Sequence, residues 1–199
     1  MFWADTIVDE VERRYAAKIA AGEPIVVRDE KTASGQVHVG SLRSASMHAM
    51  VADVLKSRGH NVKFLFEIND FDPMDGIPSY LDTATYEQYM GMPLCNIPSP
   101  VAGFANFAEY YGQEYVTVLK KIGFGAEVYR ASELYRSGVM NEMIQKALER
   151  RAVVRDIYFR ISKSEKPEDW YPLNVICEKC GNLSATKITG FDGELVDYT

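Results

Sequence analysis

The sequence has 199 residues, a formal net charge of −6, and 47% hydrophobic and 25% charged residues. That length supports one well-buried domain with a small appendage, and the acidic balance excludes nucleic-acid binding by bulk charge, so any RNA contact needs a local basic patch or another domain. No apolar run approaches the roughly 18–20 residues that span a bilayer and no signal-peptide pattern opens the chain, so a cytoplasmic location without a membrane partner is expected.

In chain order, residues 4–21 read as a helix with Val8, Val11, Tyr15 and Ile19 on one face and Gly22 as its C-cap. Ile25, Val26 and Val27 form a β-branched run suited to a buried strand, and residues 31–36 read as a loop. A second helix is predicted over 39–58, with Leu42, Ala45, Ala49 and Ala52 on its apolar edge and Gly59 ending it. A buried strand follows over 62–68. Strand, loop, helix and strand in this order make the βαβ unit of a parallel sheet. Its polar loops open on the carboxyl edge of the strands, where open α/β sheets bind ligands. Residues 73–102 are rich in Pro, Gly and Met and read as irregular; a helix over 104–122, a strand over 126–130 and a long polar helix over 139–162 come next. The texture changes after Pro167, and a boundary near 166 divides the chain into 1–166 and 167–199. Two short strand-like runs, 185–189 and 194–198, flank Gly190-Phe191-Asp192-Gly193.

The most informative segment is Thr32-Ala33-Ser34-Gly35-Gln36-Val37-His38-Val39-Gly40-Ser41. Free N–H groups and the dipole at a helix start favour an anion. Gly40 lacks a Cβ, so a flat ring or a phosphate can approach the backbone. His38 and Ser41 are spaced to face one ligand. The same spacing also suits a helix-capping box with an incidental histidine, and spacing alone leaves both readings open.

Ser34 to Ser41 resembles the "HIGH" signature of class I aminoacyl-tRNA synthetases. Ser34–Arg43, Asp70-Phe71-Asp72-Pro73, Tyr89-Met90-Gly91-Met92-Pro93-Leu94 and Ala131-Ser132-Glu133-Leu134-Tyr135 resemble, in that order, the archaeal-type class I lysyl-tRNA synthetases. The resemblance implies a Rossmann-like parallel sheet with flanking helices, formation of lysyl-adenylate from lysine and ATP with Mg²⁺, and transfer of lysine to its tRNA. It implies catalytic roles at the ATP phosphates for His38 and Ser41. Thr32, Ser34, Gly35 and Gly40 complete the implied ATP site, with Ser34 and Gly35 shaping the turn and Gly40 under the adenine. Asp70 and Asp72 are amino-acid-binding candidates, because a cationic amine wants a carboxylate there. A solvated turn before Pro73 is the bland alternative for both.

Three cysteines, Cys95, Cys177 and Cys180, argue against a disulfide framework. Cys177-Glu178-Lys179-Cys180-Gly181 has the form of a zinc knuckle. Its two thiolates are half of a tetrahedral site, so 167–199 reads as a partial zinc-ribbon-like insertion, with Zn²⁺ expected in the intact protein only. Cys95 is given no role. Relatives commonly read Gly-x-Thr-Pro-Ser-Gly where this chain has Glu30, Lys31, Thr32, Ala33, Ser34 and Gly35. Some relatives carry metal ligands where this chain has Ser99, Gly103, Phe104 and Tyr110, so no metal is expected there. No "KMSKS"-like loop is present; Lys163 and Lys166 read as a solvated helix end. The chain therefore reads as an N-terminal fragment, inactive alone. The rivals are another class I synthetase such as a cysteinyl or glutamyl enzyme, a related nucleotidyltransferase, and a non-catalytic module that binds a nucleotide or partner.

Overall fold

The computed structural model describes residues 2–199. Contacts group the chain into two compact units: Met1–Asp70 with Pro98–Ala131, and Phe71–Ile97 with Ser132–Thr199. The residue-166 boundary read from the sequence falls inside the second of these.

The first unit is built on a three-stranded parallel sheet, β1 (Ile25–Thr32), β2 (Val62–Asn69) and β3 (Glu127–Arg130), in the order β1-β2-β3. Helix α1 (Trp3–Arg14) and the short α2 (Ala16–Ala20) precede it, α3 (Val39–Ser57) connects β1 to β2, and α5 (Phe107–Ile122) leads into β3. This is the Rossmann-like parallel arrangement. Val27, Phe64, Phe66 and Ile68 share one sheet face and are buried. Ala45, Ala49, Ala52 and Leu55 of α3 are buried as well. The tyrosine ring of Tyr115, from α5, stacks on Phe66 at 5.3 Å. Gly112 lets α5 approach closely: a Cβ there would lie 2.9 Å from Cγ2 of Ile68.

Three of the differences from the sequence reading concern the first helix, β1 and the long polar helix. The N-terminal helix breaks at Tyr15 (φ −108°, ψ 18°), which leaves that side chain 48% exposed rather than on the buried face. Strand β1 runs on through Lys31 and Thr32, read above as loop, because Thr32 pairs with Asn69 of β2. The helix predicted over 139–162 is two helices, α7 (Asn141–Glu149) and α8 (Arg151–Ser162), broken at Arg150 (φ −103°, ψ 25°). The glycine stops at Gly22 and Gly59 take positive φ, as does Gly123 after α5.

Helix α1 is tied to the end of α3 by charge. Arg58 reaches Asp9 at 2.6 Å, Glu12 at 2.9 Å and Asp5 at 3.1 Å, and Nε2 of His60 lies 2.6 Å from Glu12. The His60 hydrogen bond, with Arg58 beside it, holds the Glu12 carboxyl below its ordinary value of 4.5. The unfolded chain therefore takes up this proton first as the pH falls. The stabilisation is complete above about pH 4.5 and is lost as pH drops through the lowered folded value. Thermal melts between pH 6 and 3 are expected to show this loss, and Arg58→Ala should shrink the part of the pH dependence that Glu12 contributes. A melt profile unchanged by Arg58→Ala would overturn that assignment.

The second unit begins where Phe71 stacks on Tyr135 at 5.3 Å, with Arg136 over the Phe71 ring at 5.6 Å. Arg136 lies in α6 (Ala131–Arg136), and its guanidinium donates to Asn96 at 3.0 Å. The segment from Asp72 to Leu94 closes on itself. Pro73 and Pro93 form an antiparallel bridge, and the Leu94 N–H donates to the Asp72 carbonyl at 2.9 Å. The segment holds the short α4 (Thr83–Tyr86), capped by Asp82, followed directly by a 3₁₀ turn at Glu87–Tyr89. Gly91 accepts from the Leu183 N–H at 2.7 Å, and Asn182 donates to the Met90 carbonyl at 2.9 Å. The unit ends in an antiparallel hairpin, β4 (Ile188–Phe191) and β5 (Val196–Tyr198). Among the described residues no helix is long and apolar enough to cross a membrane.

Candidate nucleotide site

The carboxyl edge of the β1–β2 pair gathers the polar residues of the first unit. Thr32 is the last residue of β1, opposite Asn69, and the Ala33 N–H donates to the Asn69 carbonyl at 3.1 Å. The pairing carries Ala33, Ser34 and Gly35 past the sheet edge. Asp70 follows β2 on the same edge and is 3% exposed. Asp72 lies in the other unit, so the two carboxylates singled out together in the sequence belong to different units.

Helix α3 starts directly after this loop. His38 is its N-cap, in extended backbone, and its Nδ1 accepts from the Ser41 N–H at 3.2 Å. Ser41 Oγ in turn donates to the His38 carbonyl at 2.7 Å and lies 3.3 Å from the His38 N–H. The residues form the capping box of the second reading, and the box orients the histidine. An Nδ1 that accepts a hydrogen bond carries no proton, so a neutral His38 bears its proton on Nε2. That N–H is directed away from the box, and His38 is exposed. Gly40 makes room for the ring, because a Cβ at 40 would sit 3.1 Å from His38 Nδ1.

Helix α5 braces this first turn. The Tyr115 hydroxyl donates to the Ser41 carbonyl at 2.7 Å, and the Val37 N–H donates to Glu114 at 3.3 Å. Burial, with Asp29 nearby, pushes the Tyr115 hydroxyl up to about 12, so it remains a donor at all ordinary pH values. Asp29 sits under α3, with its side chain 9% exposed. Ser44 Oγ donates to Asp29 Oδ1 at 3.0 Å. Oδ2 lies 3.4 Å from Nδ1 of His48 but receives no hydrogen bond, because that nitrogen is aimed at the Ser44 carbonyl at 3.0 Å.

The sequence reading did not single out Lys31, Glu114 or Tyr115. The two α5 residues carry no local signal, since their contacts cross more than 70 positions. Lys31 carried one: it continues the alternation Val27, Asp29, Lys31 on the helix-covered face. Burial there pushes its ammonium below the ordinary lysine range. Among the described residues it makes no ion pair, so it is a half-buried cation without a carboxylate one residue before the site loop. Lys31→Met is expected to raise the melting temperature, because a charge that burial penalises is removed. A lowered melting temperature would sink that assignment.

Cys177 and Cys180 lie in the second unit. The Cys177 N–H donates to the Asn182 carbonyl and its carbonyl accepts from the Gly181 N–H, both at 2.8 Å. Backbone N–H groups of Cys180 and Lys179, then the Cys180 thiol, pull the Cys177 thiol below its ordinary value of 9.0. This suits a thiolate ligand. Among the described residues, however, no group of three or more His, Cys, Asp or Glu is placed to hold a metal. No chemistry is assigned to a metal at these two thiols.

With this geometry in hand, the comparisons with known proteins converge. The family described as tRNA synthetases class I (K) matches residues 1–199. The chain is 32% identical over 198 residues to the lysine–tRNA ligase of Methanosarcina barkeri, covering 98% of this chain and 35% of that protein. It is 32% identical over 200 residues to the lysine–tRNA ligase of Methanocaldococcus jannaschii, all of this chain and 36% of that protein. The lysine–tRNA ligase of Archaeoglobus fulgidus is 32% identical over 199 residues, 38% of its length. The chain thus spans a little over a third of the length of these curated relatives.

Proposed function

We infer from one premise, that the chain belongs to the family of class I tRNA synthetases (K), that the intact protein is a lysine–tRNA ligase whose ATP site opens at the start of α3. The observation that carries the site is the reciprocal box of His38 and Ser41, which leaves an imidazole N–H at a helix N-terminus. In the reaction the lysine carboxylate attacks the α-phosphorus of ATP. A carboxyl-to-phosphate bond forms, the α–β anhydride bond breaks, and pyrophosphate leaves with the bridging oxygen. The substrate supplies the nucleophile, so the protein's task is positioning and charge stabilisation. Nε2–H of His38 and the hydroxyl of Ser41 donate to the phosphates, with Mg²⁺ accompanying ATP. Thr32, Ser34 and Gly35 frame the loop around the nucleotide, and Gly40 keeps the helix start flat beneath it. Asp70 or Asp72 takes the lysine ammonium, and tRNA(Lys) accepts the lysyl group. A cytoplasmic place of action fits such an enzyme.

ATP–pyrophosphate exchange by the intact protein, with transfer RNA present and each amino acid supplied in turn, tests this reading. Exchange that depends on lysine is expected. Exchange with another amino acid alone would overturn the lysine assignment, and no exchange with any would favour a binding module.

A further inference from the structure

Charge is distributed unevenly over this acidic chain. Residues 150–166 hold six cations, Arg150, Arg151, Arg155, Arg160, Lys163 and Lys166, against the carboxylates Asp156 and Glu165, although the chain as a whole carries −6. In the first unit the arginines are mostly neutralised in place: Arg13 and Arg14 by Glu10, Arg28 by Glu67, Arg58 by three carboxylates and Arg130 by Glu109. On α8 the pattern reverses. Arg160 pairs with Asp156 at 2.8 Å, but Arg150, Arg151 and Arg155 meet no carboxylate within ion-pair distance among the described residues.

Arg151 and Lys166 are held in place by aromatic rings. Arg151 lies 4.3 Å from the Tyr171 ring centroid and donates to the Glu168 carbonyl at 3.1 Å. Lys166 sits 5.5 Å from Tyr158 and 5.6 Å from Trp170, and these two rings meet edge to face at 5.5 Å. The segment after α8 is thereby clamped back along the helix. Helix and segment enclose a cavity of about 230 Å³ lined by Arg151, Ala152, Arg155, Glu168 and Trp170. A water takes up about 30 Å³, so the cavity admits a phosphate group with its hydration. The opposite side of α8 is different: Val153, Ile157 and Ile161, a turn apart from one another, are 53%, 41% and 80% exposed. The helix has a cationic, aromatic side and an apolar side.

We propose that the cationic side of α8, with Arg151 and Arg155 at the Trp170 cavity and Arg150 at the start of the helix, is the surface on which this protein holds the phosphate backbone of its RNA substrate. The inference rests on the reading of the protein as a tRNA ligase and adds where the RNA sits. A guanidinium held beside an aromatic ring, with a second unpaired one lining the same cavity, suits phosphodiesters, which guanidinium groups bind in bidentate fashion, while the ring offers a base a stacking face. A protein partner on the apolar side would leave Arg155 uncovered. Local concentration of positive charge also answers the requirement that net charge imposes, since the remainder of the chain repels RNA.

Equilibrium binding of a fluorescein-labelled transfer RNA transcript to the intact protein, titrated over salt concentration, tests the proposal. Arg150→Gln with Arg155→Gln removes two cations that hold no other side chain in place, so the fold is left intact. The double variant should bind at least about tenfold more weakly. The slope of log affinity against log salt should fall by about 1.5–2, as two phosphate contacts require. Arg151→Gln, which also loses the Tyr171 and Glu168 contacts, should weaken binding at least as much as Arg155→Gln alone. Wild-type affinity and slope in the double variant would overturn the proposal, and would mean that another part of the protein covers this face or carries the RNA. Loss of affinity with an unchanged slope would also overturn it, since phosphate contacts must release counterions. The lysine reading stands or falls separately, on the amino-acid dependence of exchange by the wild-type protein.

Discussion

His38→Asn is expected to reduce lysine-dependent ATP–pyrophosphate exchange by the intact protein by about 10²–10³-fold, the usual cost of deleting one donor aimed at developing charge. Stability should stay close to wild type. Asparagine is among the best N-cap residues, and its Oδ1 can accept from the Ser41 N–H as Nδ1 of His38 does at 3.2 Å. What asparagine lacks is the outward N–H of Nε2. His38→Ala loses both functions and should cost about 1 kcal/mol of stability as well. The pair of variants separates capping from chemistry. An asparagine variant as active as wild type would make His38 a helix cap and nothing more. Melting curves for both proteins are the control.

The second large effect is a change of sign. Gly112→Ala would ordinarily stabilise a helix interior by about 1 kcal/mol. Here the new Cβ falls 2.9 Å from the Ile68 methyl, and Ile68 is 1% exposed with little room to move. The expected outcome is destabilisation by about 1–3 kcal/mol. The shift of α5 would also displace Tyr115 from Ser41 and Glu114 from Val37. In an Ile68→Ala background the obstructing methyl is gone, and the same Gly112→Ala change should become stabilising. Denaturant unfolding of the four proteins in this cycle measures the coupling. Additive effects would show that the close approach of α5 to β2 has no energetic weight.

The β1–α3–β2 unit was legible in the sequence because its signals are local. β-branched residues mark the strands, small apolar residues recur along α3, and Gly59 closes the helix by taking a left-handed φ. The extension of β1 through Lys31 and Thr32 was not legible, because it depends on a partner strand whose Asn69 lies 37 positions away. Nor did composition mark the break at Arg150; Glu149, Arg150 and Arg151 are all good helix formers. At the site, His38, Gly40 and Ser41 could be picked out from spacing. Their support from Tyr115 and Glu114 could not, since α5 reaches them only through the crossover topology. Asp70 and Asp72 were picked out by their place after β2 and the amine they could bind; Asp70 falls in the first unit and Asp72 in the second, a division that no local signal marks.

The capping box at His38 and Ser41 has a further implication for how a ligand enters. Ser41 Oγ already donates its proton to the His38 carbonyl at 2.7 Å. A hydroxyl has one proton to give, so a phosphate that recruits Ser41 must take it from the helix. The phosphate oxygen then becomes the partner of N–H groups that the box had satisfied. Occupied and empty sites therefore compete for the same donors, and the first turn of α3 exchanges an internal cap for an external one. The helix start is a socket closed by its own side chains.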